Sequence, residues 1–196
     1  MILYDNPAST NALKVRFLLA ELGVEVELRT VTLHQPTPDY LALHPFGLVP
    51  TLVDDELVIT ESNVALRYLA ERQRREDLRG ETPATRARVD VLLDSLSLEV
   101  RPAAWDLERI SIYGEPADED TAARARARFA EVLSAYDRLL SANGPHAVGT
   151  FTIADCAIAG RLHQLDRLGL DPDCAPRLRR TLSAARARPA WARSQP

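Results

Sequence analysis

Val49-Pro50 and Glu61-Ser62 are the residues whose types and spacing best suit the capture of a small polar ligand. Between them lie two β-rich runs, Thr51 to Val53 and Leu57 to Thr60, on either side of an acidic turn, and this pattern predicts a hairpin. Proline donates no ladder hydrogen bond and belongs at an edge or at a strand's first residue. A cis Val49-Pro50 bond is one reason for a proline here, because it turns the N–H and C=O of Val49 outward, offering an extended ligand the paired bonds that a neighbouring strand receives. Glu61 and Ser62 stand where the hairpin feeds a helix carrying Val64, Leu66, Tyr68 and Leu69. Free N–H groups and the positive dipole end of such a helix favour a carboxylate, and the Glu61 side chain can take an ammonium beside it. A third polar stretch, Ser9-Thr10-Asn11, enters another helix, and its oxygens suit the capping of free backbone N–H groups.

The elements that must hold these stretches follow in order. Ile2 to Tyr4 reads as a strand, Asn11 to Leu22 as a helix with Leu13, Phe17, Leu18 and Leu22 on its apolar side, and Gly23 as its C-cap. Val24 to Val31 reads as a second strand, parallel to the first through a right-handed crossover. A helical patch at Pro38 to Leu43, then hairpin and helix, completes the order of a thioredoxin-like domain. Residues 72–83 are charged, carry Gly80 and Pro83, lack apolar periodicity and read as a linker with solvated arginines. Beyond it the chain is helical. One apolar stripe runs through Val89, Leu92, Leu93, Leu96 and Val100, and a second through Phe129, Val132, Leu133, Tyr136, Leu139 and Leu140. Thr152 to Asp155 forms a capping box, with Phe151 and Cys156 spaced as a hydrophobic staple. The fold class is an α/β thioredoxin-like N-terminal domain (1–72), a linker (73–83) and an all-α helical domain (84–196).

A carboxylate and an ammonium on one carbon, joined to an extended peptide, describe the γ-glutamyl end of glutathione. The Gly47-Leu48-Val49-Pro50 turn followed by Glu61-Ser62 resembles the glutathione-binding half of the cytosolic glutathione transferases. Thr152-Ile153-Ala154-Asp155 resembles the box opening the core helix of their second domain, and Arg188-Pro189-Ala190-Trp191 that domain's closing helix boundary, so the likeness spans both domains.

The resemblance implies roles for single residues. In the serine-type, bacterial-like members the turn after the first strand carries a serine that donates to the glutathione thiolate, and Ser9 matches that position ahead of Lys14-Val15-Arg16. Ionising a thiol with a reference pKa of about 8.5 at neutral pH requires about 2.7 kcal/mol. A hydrogen bond to a charged group contributes about 1.5–3 kcal/mol and a helix N-terminus about 0.3–1 more. Tyr4 is the rival donor, and Thr10 and Asn11 are possible helpers. Gln35, with His34 beside it, matches the position touching the glycine end of glutathione; Val49, Pro50, Glu61 and Ser62 complete that site. Leu48 departs from the pattern, because many relatives carry a basic residue there. Trp105, Leu107, Ile110, Ile112 and Tyr113, between the first two long helices of the second domain, match the electrophile pocket, with Trp105 and Tyr113 as its expected aromatic walls.

The implied activity is conjugation of glutathione, as co-substrate, to a small apolar electrophile in detoxification, by a homodimer that needs no metal and no further cofactor. A non-catalytic binding or regulatory module and a glutathione-dependent isomerase or dehalogenase are the alternatives. Composition excludes other classes. With 24 basic and 28 acidic side chains among 196 residues, the formal charge of −4 leaves no basic footprint for nucleic acid. Cys156 and Cys174 have no C-x-x-C spacing, which argues against a dithiol couple. The absence of a charged leader and of any long apolar run points to a cytoplasmic protein without a membrane partner.

Overall fold

Alternation along the first strand puts Leu3 and Asp5 on one face, which is buried, and Tyr4 on the other, which is half-buried. The computed structural model describes residues 1–32, 35–168 and 174–195. Strand β1 (Ile2–Asp5) is central, with β2 (Glu27–Thr30) parallel on one side, β3 (Thr51–Asp54) antiparallel on the other, and β4 (Leu57–Ile59) beyond β3. Helix α1 (Thr10–Leu22) crosses from β1 to β2, α2 (Pro38–Leu43) precedes β3, and α3 (Ser62–Arg72) follows β4, as a thioredoxin-like unit requires. The second strand is shorter than the alternation of Val24 to Val31 predicts. It lies at the sheet edge, and Leu28 is 58% exposed there.

Ser9 opens α1 and Gly23, in the left-handed region, closes it. The predicted apolar side covers only part of what is buried. Every residue from Ala12 to Leu19 is inside, because α3, α8 (Ile153–Arg161) and α10 (Pro189–Ser194) all pack against this helix. Arg16 is satisfied there by both carboxylate oxygens of Asp5, at 2.8 and 2.6 Å, and by the Ser194 carbonyl at 3.0 Å. At the crossing with α8, a Cβ on Gly160 would lie 2.6 Å from the Lys14 backbone nitrogen, so only glycine permits this approach.

Residues read as a linker contain a short helix, α4 (Glu76–Arg79), which buries Leu78. Its arginines are not simply solvated: Arg79 pairs with Glu71 and Asp90, and Arg75 with Asp77. Helix α5 (Pro83–Ser95) runs through a π-helical turn (Leu96–Val100) into α6 (Arg101–Ser111), so the segment read as lying between two long helices is the continuation of the first. The first stripe is fully buried. In the second, Phe129, Leu133, Tyr136 and Leu140 are buried, but Leu139 is 50% exposed. Helix α7 (Glu119–Asp137) ends before Leu139, and the helical phase that the stripe assumed ends with it. Helix α9 (Pro176–Arg186) takes its cap from a distance, since Asp137 Oδ1 accepts from the Leu178 N–H at 2.7 Å.

Asp155 opens α8 as the capping pattern predicts. Its Oδ2 accepts from the Thr152 N–H at 2.9 Å and its Oδ1 from the Ala147 N–H at 3.1 Å, all fully buried. Among the described residues no helix is long and apolar enough to cross a membrane.

Candidate active site

Strand register gathers the three polar stretches at one end of the sheet. Tyr4 pairs with Thr51 and Leu52 with Ile59, so the turn leaving β1, the Val49-Pro50 bond entering β3 and the Glu61-Ser62 turn leaving β4 emerge side by side. No local signal contains this convergence, which depends on β3 running antiparallel to β1.

Val49-Pro50 is cis. The loop before it depends on Gly47, whose φ of 62° and whose distance to Pro36 Cγ of 2.8 Å from a built Cβ leave no room for another residue. Tyr40 of α2 supports the same loop: its hydroxyl donates to the Leu48 carbonyl and lies 2.9 Å from Thr51 Oγ1, thereby bracketing Val49 and Pro50. Burial raises the Tyr40 hydroxyl's pKa, which keeps it a donor. Leu48 itself is exposed.

Glu61 is the N-cap residue of α3, yet its exposed side chain makes no capping bond, while Ser62 and Asn63 behind it are buried. A carboxylate held in solvent beside uncapped amides is the arrangement that an ammonium and a carboxylate on one carbon would fit.

Ser9 caps α1, its Oγ accepting from the Ala12 N–H at 3.2 Å. A hydroxyl that accepts still has its own proton to donate. Tyr4 packs against Tyr40. Its ring centroid lies 5.3 Å from that of Tyr40, and Arg29 donates to its hydroxyl at 3.0 Å. Thr10 receives Arg161 Nη1 at 3.3 Å, and Arg161 is held by both oxygens of Glu108 at 2.8 and 3.2 Å. Gln35 is exposed, its N–H turned to the Thr32 carbonyl; His34 lies outside the described residues. Trp105 and Tyr113 come together with ring centroids 5.6 Å apart on the exposed side of α6, opposite buried Ala103, Ala104, Leu107 and Glu108. Cys156 is fully buried and burial pushes its thiol's pKa well up, so it is no nucleophile.

Sequence reasoning passed over Tyr40, Lys14, Asn63 and Arg161. Lys14 is the only lysine in the chain and falls inside an apolar helical run, which was the available signal. It is 2% exposed, and its Nζ donates to Asn63 Oδ1 at 2.6 Å. Desolvation, with Arg161 next in weight, pushes its pKa down to about 7.

Comparison with known proteins supplies the family. The family model for the glutathione S-transferase N-terminal domain matches residues 1–71. The chain is 36% identical over 148 residues to glutathione S-transferase F10 of Arabidopsis thaliana, covering 71% of this chain and 69% of that one. It is 31% identical over 170 residues to a stringent starvation protein A homolog of Coxiella burnetii, covering 87% and 78%. Among solved structures, the theta class glutathione S-transferase of Xanthomonas axonopodis pv. citri, with glutathione bound, superposes with a TM-score of 0.87 at 28% identity, covering 99% of this chain and 96% of that one. With its thioredoxin-like sheet, its helical second domain and these relatives, the chain belongs to the glutathione transferase family.

Proposed function

We propose that the protein is a serine-type glutathione transferase in which Ser9 stabilises the glutathione thiolate for attack on a small apolar electrophile. The observation that carries this reading is the state of Ser9 at the sheet end where the three polar stretches converge: its oxygen is fixed by the Ala12 N–H, and its proton is left for an anion. One charge-assisted hydrogen bond of about 1.5–3 kcal/mol and the N-terminus of α1, at about 0.3–1, suffice to ionise a thiol near neutral pH.

Val49 offers its backbone to the cysteinyl portion, Ser62 and the α3 amides take the γ-glutamyl carboxylate, and Glu61 takes its ammonium. Gln35 reaches the glycine end. Trp105 and Tyr113 supply apolar surface for the electrophile. The nucleophile and its proximity to the electrophile are the protein's whole contribution, and no metal or further cofactor enters the reaction. The working unit is a cytoplasmic homodimer. Its support is the exposed face of α5 and the turn after it, where Val91 and Leu98 are 51% and 72% exposed.

Calorimetric titration with glutathione, followed by a conjugation assay with an aryl halide, tests the reading. Binding with turnover is expected; no binding overturns it. A second reading, a module that binds the peptide without turnover, is favoured by Leu48 standing where relatives carry a basic residue. Binding without turnover of any electrophile supports it.

A further inference from the structure

Lys14 has no task in the reaction described above, yet its surroundings are built around it. Its backbone is pressed against Gly160 of α8, and the residue is buried. Its ammonium meets Asn63, the second residue of α3 after the Glu61 cap. Asn63 is fixed in turn. Its Nδ2 donates to the Leu93 carbonyl at 2.9 Å and to Ser97 Oγ at 3.1 Å, where α5 widens into the π turn, which leaves Oδ1 facing Lys14.

The charges acting on Lys14 come from α8, α6 and α3. Arg161 of α8, Arg101 at the start of α6 and Arg67 of α3 disfavour its ammonium, and Glu61 at the head of α3 favours it. Two of the three arginines are already paired, Arg161 with Glu108 and Arg67 with Asp90 and Asp94. Lys14 is therefore a buried cation beneath the α3 N-terminus, bonded to no carboxylate among the described residues. It titrates near neutrality, so small changes of local charge move its proton.

We propose that Lys14, through Asn63, is the buried counter-cation of the γ-glutamyl subsite, taking up a proton from solvent when the ligand's carboxylate docks at the head of α3. The inference rests on the glutathione reading above. The ligand's ammonium does not cancel the effect. It pairs with Glu61, which is exposed and screened by water, whereas the carboxylate lies against the amides of buried Ser62 and Asn63, and Asn63 faces Lys14. Lys14 is already desolvated, so the incoming anion changes its electrostatics far more than its hydration. Ligands of this type then bind more tightly in acid than in base.

S-methylglutathione is the probe, because its blocked sulfur releases no proton. Titration calorimetry at about pH 7.5, in two buffers of different ionisation enthalpy, reads the protons taken up on binding. Wild-type protein is expected to take up a substantial fraction of one proton and to bind severalfold more weakly at about pH 8.5 than at about pH 6. Lys14→Met removes both effects. Asn63→Asp also removes the uptake, because an anion facing Nζ keeps Lys14 charged before the ligand arrives, and it serves where Lys14→Met fails to fold. Wild-type binding without proton uptake, or full uptake in folded Lys14→Met, overturns the proposal. Absence of binding in both buffers is a separate result that overturns the glutathione reading itself.

Discussion

Ser9 performs a structural task, and any chemical task must be detected on top of it. Its cap on α1 is worth about 1 kcal/mol, so Ser9→Ala is expected to melt earlier at every pH where the protein is folded. If Ser9 also holds the thiolate, the same substitution raises the pH at which bound glutathione titrates in ultraviolet difference spectra and lowers turnover, with little change in glutathione affinity. A lower melting temperature with an unmoved thiol titration makes Ser9 a cap alone. In the proposed site Glu61→Ala and Ser62→Ala act elsewhere on the ligand. Each removes a hydrogen bond to a charged group, so affinity for glutathione is expected to fall by about 1.5–3 kcal/mol with an unchanged circular dichroism spectrum. Unchanged titrations in both variants reject this subsite. Lys14 gives the fold a pH signature of its own. Its pKa is about 7 in the folded protein against 10.5 when solvated, so between those limits the unfolded chain binds more protons and stability rises with pH. Below pH 7 the cost of burying the ammonium is borne in full. Denaturation midpoints followed across this window are expected to climb in wild type and to stay flatter in Lys14→Met; parallel profiles would contradict the burial of a titrating ammonium.

At the scale of elements, the capping box of α8 has the clearest energetic content. Asp155 is fully buried and answers two backbone donors, those of Thr152 and Ala147, while lying 3.3 Å from His146 Nδ1. Asp155→Ala leaves those two donors without a partner inside the protein, at about 1–3 kcal/mol each. The melting temperature is expected to drop by many degrees, whereas an exposed capping residue such as Asp118 on α7, which accepts only the Thr121 N–H, costs about 1 kcal/mol when removed. Equal losses from the two helix starts would show that burial of the first box carries no extra weight. The box was legible as a local pattern of four residues. Its importance was not, because that comes from α1, α5 and α9 packing against α8 from outside the motif.

For the whole molecule, the exposed apolar residues Val91 and Leu98 on the first long helical run, with Leu139 beyond α7, are the surface that a second copy is proposed to cover. Light scattering at micromolar concentration is expected to give twice the 21.7 kDa chain mass. A monomeric mass under those conditions rejects the homodimer. Phe46, 82% exposed on the loop before Gly47, and Leu48 beside it show that the polar end of the sheet is also bordered by apolar surface.

The sequence by itself determined those features whose physics is local. Helix caps at Ser9, Gly23 and Thr152-Asp155, the hairpin from Thr51 to Ile59 and the parallel crossover through α1 follow from hydrogen-bonding capacity, glycine's positive φ and hydrophobic period, all of which act within a few residues. The Val49-Pro50 and Glu61-Ser62 stretches were likewise legible, since proline and a helix start carry their constraints with them. Tertiary structure decided the rest. It converted the amphipathic α1 into a helix buried all round, left Leu139 exposed where α7 stopped, and joined α6 to α5 through a π turn. It also brought Lys14 to Asn63 across 49 positions and Arg161 to Thr10 across 151. In the chain a buried charge such as Lys14 shows only as a cation inside an apolar run, with no sign of its partners. The cost of burying it is set by partners that only folding supplies, so the polar interior of this protein became readable only with the packing in place.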